Sequence, residues 1–104
     1  MHPAPTLRGI VGYCSFRGAS KQRERIEAAL AEAGRTAVEI IEEAPRLPGE
    51  GNLAMAKVFD YLGRSDIDTL LVSSLDVLPL KGKNLEQWRR DLAWKHGVIV
   101  LQVG

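Results

Sequence analysis

The chain has 104 residues, 45% of them hydrophobic and 26% charged, with a net charge of +1. That length accommodates one domain with a buried core, and the near-neutral charge excludes the global basic field typical of dedicated nucleic-acid-binding proteins. Because there is one cysteine, Cys14, an internal disulfide and a zinc site built from several cysteines are excluded.

The first half of the chain alternates between strand and helix patterns. Residues 1–7 are expected to form a flexible lead, and residues 8–104 a single α/β domain. A buried strand is predicted over residues 10–16. Ser20 is expected to cap the following helix, which Gly34 ends, and its apolar stripe consists of Ile26, Ala29, Leu30 and Ala33. A second strand is predicted over residues 37–41.

The second half repeats this alternation. Prolines and glycines predict a loop over residues 42–51. A second helix is expected from about Leu53 to Gly63, with a core face of Met55, Val58, Phe59 and Leu62. Residues 69–73 are the most apolar segment and therefore predict a central strand.

A third helix and a last strand complete the pattern. Asn84 is expected to cap the helix, with Gln87 completing a capping box. Its core face is predicted to be Leu85, Trp88 and Leu92, whereas Trp94 lies on a different face and is expected to be partly exposed. The last strand is predicted over residues 98–101.

Strands separated by helices predict a three-layer α/β/α domain with a mostly parallel sheet of four or five strands. Ligands of such sheets bind outside the carboxyl ends of the strands. This topology places six polar candidates along one edge of the sheet: Ser15, Arg17, Ser20, Glu43, Ser74 and Asp76.

The segment from Arg17 to Lys21 joins the first strand to the first helix. Free backbone N–H groups at a helix start favour anions, and Gly18 lets an anion approach the backbone closely. The glycine spacing of a phosphate loop is absent. An ordinary capped turn and a weak phosphate contact by Arg17, Gly18, Ser20 and Lys21 both remain open.

Ser15 and Ser20 are the candidate nucleophiles. A serine hydroxyl needs a base or dense positive charge to react, but His2 and His96 are poorly placed and Arg17 is the one cation expected nearby. Asp76 is the best candidate for a site carboxylate, and its alternative role is a hydrogen bond to the turn that follows. No spacing of acidic residues around it is specific for a metal.

Three segments carry a family resemblance: Gly12 to Arg17, Gln22 to Ile26, and Ile67 to Leu78. Their order and spacing resemble the catalytic domain of the serine site-specific recombinases, the resolvases and invertases. The resemblance covers nearly all of residues 8–104. It implies a resolvase-like fold, a role in DNA recombination, and DNA or a DNA-associated protein as the partner.

The family's chemical residues are replaced at most positions. Its first strand ends in a Tyr-x-Arg-x-Ser pattern, and counting from Tyr13 places Ser15 at the arginine position and Arg17 at the position of the nucleophilic serine. Asn52 occupies the position of a second arginine, which opens the next helix.

The Leu-Asp-Arg-Leu-x-Arg motif of the family is also incomplete. Asp76 is retained, but Val77 and Leu80 replace the two arginines. Arg17 and Lys81 compensate only in part for several guanidinium groups. The resemblance therefore implies a degenerate domain without strand cleavage.

Three functions remain open at this point. The first is a recombinase-like domain that binds a protein or the DNA backbone without cutting. The second is an active recombinase in which Ser15 or Ser20 is a displaced nucleophile, with Arg17 and Asp76 as its catalytic partners. The third is a module for a small anionic ligand. In each case the expected binding residues are Arg17, Gly18, Ser20, Lys21, Asn52, Asp76 and Lys81.

Cellular context follows from what the sequence lacks. We expect no metal and no cofactor. We also expect no membrane association, because no apolar run approaches the length of a membrane span. A cytoplasmic location is the default. The family's long dimer helix and DNA-reading module have no counterpart in this sequence. The oligomeric state is therefore left open.

Overall fold

The computed structural model describes residues 9–45, 49 and 51–103; the predicted flexible lead lies outside them. A four-stranded parallel sheet forms the middle of the domain, with strand order β2-β1-β3-β4. The strands are β1 (Gly9–Cys14), β2 (Glu39–Glu42), β3 (Ile67–Val72) and β4 (Ile99–Gln102). The predicted α/β class and parallel sheet are confirmed, and β3 is an interior strand as its apolar sequence indicates.

Three helices alternate with these strands: α1 (Ala19–Ala33), α2 (Leu53–Leu62) and α3 (Gly82–Asp91). A short 3-10 turn covers Leu75–Val77, and a π-helical turn, Leu92–His96, continues α3. Each helix follows the carboxyl end of a strand and returns along the sheet, so all three helix N-termini lie at the same end of the domain. No helix of the described residues is long and apolar enough to cross a membrane.

Two apolar layers hold the helices against the sheet. On one face, α1 packs Ile26 and Leu30 against a buried set from β1 and β3: Ile10, Cys14 and Leu71. On the other, α2 and the helical segment that follows β3 pack against a larger cluster that includes Val11, Tyr13, Val58, Leu70 and Leu92. Burial of these side chains is the main source of stability.

The structure corrects the predicted start of α1. Gly18, with φ of 71°, takes the N-cap position, and no side chain caps the helix. A left-handed φ is easy for glycine and costly for other residues, which is why the helix begins next to Gly18. Ser20 therefore lies inside the first turn and is exposed. Gly34 ends the helix as predicted.

The predicted start of α3 and one core residue are also wrong. The carbonyl of Lys81 accepts the amides of Asn84 and Leu85, so α3 begins two residues before the expected cap and Asn84 lies in its first turn. Phe59 is 48% exposed instead of buried. Its ring meets Trp88 edge-on, at 5.9 Å between centroids, which places it at the border of the core.

Candidate functional site

The carboxyl ends of the four strands form one edge of the sheet, which we call the rim and define by Ser15, Glu43, Ser74 and Gln102. Backbone hydrogen bonds from Glu43 to Cys14 (2.8 Å) and from Val103 to Val72 (2.9 Å) continue the strand pairing to this edge. The amide oxygen of Gln102 accepts from the backbone of Leu75 at 2.9 Å. The loops that leave the rim are therefore tied to their neighbours.

Gln22 organises the loop between β1 and α1. Its side chain is 7% exposed, and its oxygen accepts from the Ser15 amide at 2.9 Å. Its nitrogen donates to the Ser15 carbonyl (3.3 Å), the Ser15 hydroxyl (2.9 Å) and the Arg17 carbonyl (2.7 Å). Because these bonds occupy the backbone of Ser15, β1 ends at Cys14, two residues before the predicted end.

The Ser15 hydroxyl, the first candidate nucleophile, is thus held as a hydrogen-bond acceptor. Within residues 9–45, 49 and 51–103, Gln22 is the side chain that contacts it, and an amide is neither a base nor a cation. His96 ends the π-helical turn, at the end of the sheet opposite the rim. The local geometry therefore offers Ser15 no activating group.

Arg17, Ser20 and Lys21 surround the open N-terminus of α1. All three are exposed, and the first turn contains no acidic residue. The Arg17 guanidinium lies 6.0 Å from the centre of the Phe16 ring and pairs with no acid in the described part of the chain. This end of α1 combines uncapped N–H groups with two free cations, which is a favourable environment for an anion.

Asp76 and Lys81 form a second group at the rim, after β3. The Ser74 hydroxyl accepts from the Asp76 amide at 3.2 Å and caps the 3-10 turn. Lys81 donates from its ammonium group to the Asp76 carbonyl, and Asp76 is exposed. Among the described residues, no hydrogen bond or ion pair joins this group to Ser15, Arg17 or Ser20.

Asn52, a predicted binding residue, and Arg23 both serve the scaffold. The Asn52 side chain accepts from the Met55 amide at 2.9 Å and caps α2. Arg23 donates to the Ile40 carbonyl (3.0 Å), to Glu42 (3.3 Å) and to Glu27 (3.3 Å). The hydrogen bond with Glu42 holds the pKa of Arg23 above its usual value. Arg23 is thereby neutralised as a source of free positive charge.

The first strand also contributes two buried polar groups. The Tyr13 side chain is fully buried, and its hydroxyl donates to the Glu43 carboxylate at 2.6 Å. Burial, and after it the charge of Glu42, raises the pKa of the Cys14 thiol to about 11. Cys14 is therefore a protonated core residue at neutral pH.

Sequence reasoning missed what Gln22 does. The residue is conspicuous as the first of the second matching segment, but its burial was not predicted. The available signal was position: a polar residue four before Ile26 falls on the buried stripe of α1, where its amide must find partners.

No protein-family model and no curated protein sequence matches the chain. Solved structures do match. The N-terminal catalytic domain of TP901-1 integrase superimposes with a TM-score of 0.76 at 17% identity, over 92% of this chain and 77% of that one. The C-terminal catalytic domain of ISC1926 TnpA, an IS607-like serine recombinase, gives a TM-score of 0.74 at 18% identity, over 91% of this chain and 67% of that one.

This chain has the fold of a serine recombinase catalytic domain. A third match, the catalytic domain of the IS607-like serine recombinase IS1535 TnpA, agrees at a TM-score of 0.71 and 19% identity, over 91% of this chain and 70% of that one. The fold that the three sequence segments predicted is confirmed. At such identities the likeness concerns the fold, so activity has to be argued from the rim residues.

The described residues contain no group of three or more His, Cys, Asp or Glu side chains that could hold a metal ion. Of the acids at the carboxyl end of β2, Glu42 is engaged by Arg23, and Glu43 accepts from Tyr13. Both acids are therefore engaged by other side chains, whereas Asp76 is exposed.

Proposed function

We propose that this chain is a serine-recombinase-like domain that takes part in DNA recombination by binding the DNA backbone at the rim, without cutting a strand. The observation that carries the proposal is the loop held by Gln22. It fixes Ser15 as an acceptor and leaves Arg17, at the family's nucleophile position, exposed beside the open end of α1.

Cleavage is disfavoured by the number of cations. Transfer of a phosphodiester places negative charge on several oxygens, which several aligned cations must stabilise. At the rim Arg17 and Lys21 are free, whereas Lys81 is bound to the Asp76 carbonyl. Val77 and Leu80 stand where the family has arginines, and Asn52 is used as a helix cap. This set holds a phosphate but does not stabilise its transition state.

Binding of a phosphate is favoured by the same residues. The N–H groups in the first turn of α1 have no side-chain cap, and Gly18 adds no side chain that would block them. Arg17 and Lys21 supply two charges, each a suitable contact for one backbone phosphate. Binding of a protein partner at the rim is the alternative, but it does not require open N–H groups together with two free cations.

The test is binding of a labelled duplex DNA, measured by fluorescence anisotropy over a range of salt concentrations. We expect weak binding that salt abolishes. The double variant Arg17→Gln with Lys21→Gln is expected to lower the slope of log K against log salt by about 0.9 per lost contact. Arg64→Gln is the control: it removes one charge at the opposite end of the sheet, from an exposed pair with Asp66, and should leave the slope unchanged.

Two results contradict the proposal. One is duplex binding that is identical in the wild type and the double variant. The other is an absence of DNA binding together with stabilisation by inorganic phosphate, since ligand binding to the native state raises the melting temperature. The second result would support a module for a small anion.

A second candidate function is an active recombinase with Ser20 as the displaced nucleophile. The observation that favours it is the position of Ser20, exposed in the first turn of α1 next to Lys21 and the open N–H groups. It requires a covalent bond between Ser20 and DNA, which the proposal above does not allow.

A further inference from the structure

The positive charge of the chain is concentrated on one segment. Residues 81–96 contain five lysines and arginines and two acids, Glu86 and Asp91, whereas the rest of the chain has nine basic and eleven acidic residues. This segment comprises α3, its cap and the π-helical turn. The excess positive charge of the chain is therefore concentrated in one helical segment.

Within this segment, four exposed residues form a stripe, which we call the α3 stripe: Lys83, Gln87, Arg90 and Trp94. Their spacing of four, three and four residues places them on the helix face opposite Leu85, Trp88 and Leu92. The stripe is about 16 Å long at the rise of a helix. Neither Lys83 nor Arg90 forms a hydrogen bond through its side chain or an ion pair with a described residue, so both charges are available.

Trp94 ends the stripe and is 90% exposed, the largest exposed fraction among the large apolar side chains of the described residues. It lies in the π-helical turn, a rare conformation that is frequent at functional sites. That turn buries Leu92 while it presents Trp94 to solvent. The indole of Trp94 therefore offers a flat face on which an aromatic ring can stack.

A groove lies on the α2 side of α3, and no residue of the α3 stripe lines it. It has a volume of about 280 Å³ and is lined by Phe59, Trp88, Asp91, Lys95 and other residues. Phe59 is half exposed, and its ring and that of Trp88 meet edge-on. The groove has an aromatic wall and holds both Lys95 and the acid Asp91, so it is not part of the surface proposed below.

We propose that the α3 stripe binds single-stranded nucleic acid, with Lys83 and Arg90 on phosphates and Trp94 stacked on a base. Phosphates match the free cations, and an unpaired base matches the exposed indole. An acidic polypeptide matches only the cations, and an apolar partner only Trp94. Duplex DNA keeps its bases stacked, so Trp94 gains nothing from it. This proposal does not depend on phosphate binding by Arg17 and Lys21.

The experiment measures anisotropy of a labelled thymine oligonucleotide of about 20 bases with the full chain. Trp94→Ala is expected to weaken binding by about 5- to 150-fold, which corresponds to the loss of one stacked base. Lys83→Gln with Arg90→Gln should lower the salt slope by about 0.7 per charge. The control Arg25→Gln removes an exposed charge from α1 on the other face, and should leave both quantities unchanged.

Three outcomes overturn the proposal: equal binding by the wild type and Trp94→Ala, binding of the duplex as tight as that of the single strand, or equal competition by poly-glutamate at matched charge. The stripe is tested independently of the rim in the Arg17→Gln, Lys21→Gln background, where Trp94→Ala should still weaken single-strand binding by the same factor. Trp88 remains in the Trp94→Ala variant, and its fluorescence reports that the variant is folded.

Discussion

At the scale of single residues, one buried amide determines the shape of the candidate site. Gln22 uses both of its polar atoms, and its four hydrogen bonds end β1 and hold Ser15 and Arg17 in place. Satisfied buried polar groups of this kind rigidify a structure, whereas a lost partner leaves desolvated groups unpaired. The hydrogen bond from Gln22 to the Arg17 carbonyl therefore helps to fix the backbone from which the Arg17 side chain extends.

Replacement of Gln22 tests this role. We expect Gln22→Ala to lower the free energy of unfolding by about 1–3 kcal/mol, because the amide and carbonyl of Ser15 lose their partner. Amide hydrogen exchange at Ser15 should become faster by a larger factor than in the strands. Urea denaturation and exchange measured by NMR provide the two readouts.

The matched control is Gln87→Ala. Gln87 is exposed and donates to Asp91 at 3.0 Å on the surface of α3. Its loss should change stability by less than about 0.5 kcal/mol. Equal destabilisation by the two variants would mean that Gln22 has no special role in the loop.

At the scale of elements, each exposed edge of the sheet is covered by an arginine from the adjacent helix. Arg23 of α1 donates to the Ile40 carbonyl of β2 at 3.0 Å, and Arg89 of α3 donates to the Val100 carbonyl of β4 at 3.3 Å. Unpaired strand edges are templates for pairing with another chain, and charged groups placed on them discourage it. The two arginines protect the two edges in the same way.

Removal of both arginines should promote self-association. We expect Arg23→Met with Arg89→Met to form larger species on incubation at concentrations where the wild type is unchanged, because methionine keeps the apolar stem and loses the donors. Size-exclusion chromatography with light scattering measures this. Arg25→Met with Arg90→Met removes the same charge from exposed helix positions; if it associates as strongly, net charge and not edge protection is responsible.

The helices and strands differ in how far the sequence predicts them. The periodicity of apolar residues predicted α1 and α2 and the interior position of β3, because burial follows directly from spacing. The starts of α1 and α3 were wrong, because Gly18, in a left-handed conformation, and Lys81 take the N-cap positions. Neither residue provides a side-chain cap, and Ser20 and Asn84 lie inside the first turns.

The sequence predicts where the candidate site residues lie in the fold, but not which side chains they contact. Parallel topology alone placed Ser15, Arg17 and Asp76 at the rim. It gave no information on which polar groups become buried, so the bond between Gln22 and Ser15 and the capping role of Asn52 were not foreseen. Such pairings depend on how individual side chains pack, which the periodicity of apolar residues does not encode.

At the scale of the whole molecule, the fold and strand cleavage depend on different residues. The two apolar layers on either side of the sheet specify a serine recombinase fold without any residue of the rim. Cleavage would require several free cations around an activated serine. Since the layers do not depend on those cations, the fold can persist where the cleaving residues are replaced.

The most direct test of this account is a search for covalent protein–DNA adducts. The chain is incubated with supercoiled plasmid, the reaction is stopped with denaturant, and adducts and nicked plasmid are detected on denaturing gels. We predict neither product, at any salt concentration that permits DNA binding. An adduct that disappears in Ser15→Ala or in Ser20→Ala would contradict the account, because it would demonstrate a reactive serine at the rim.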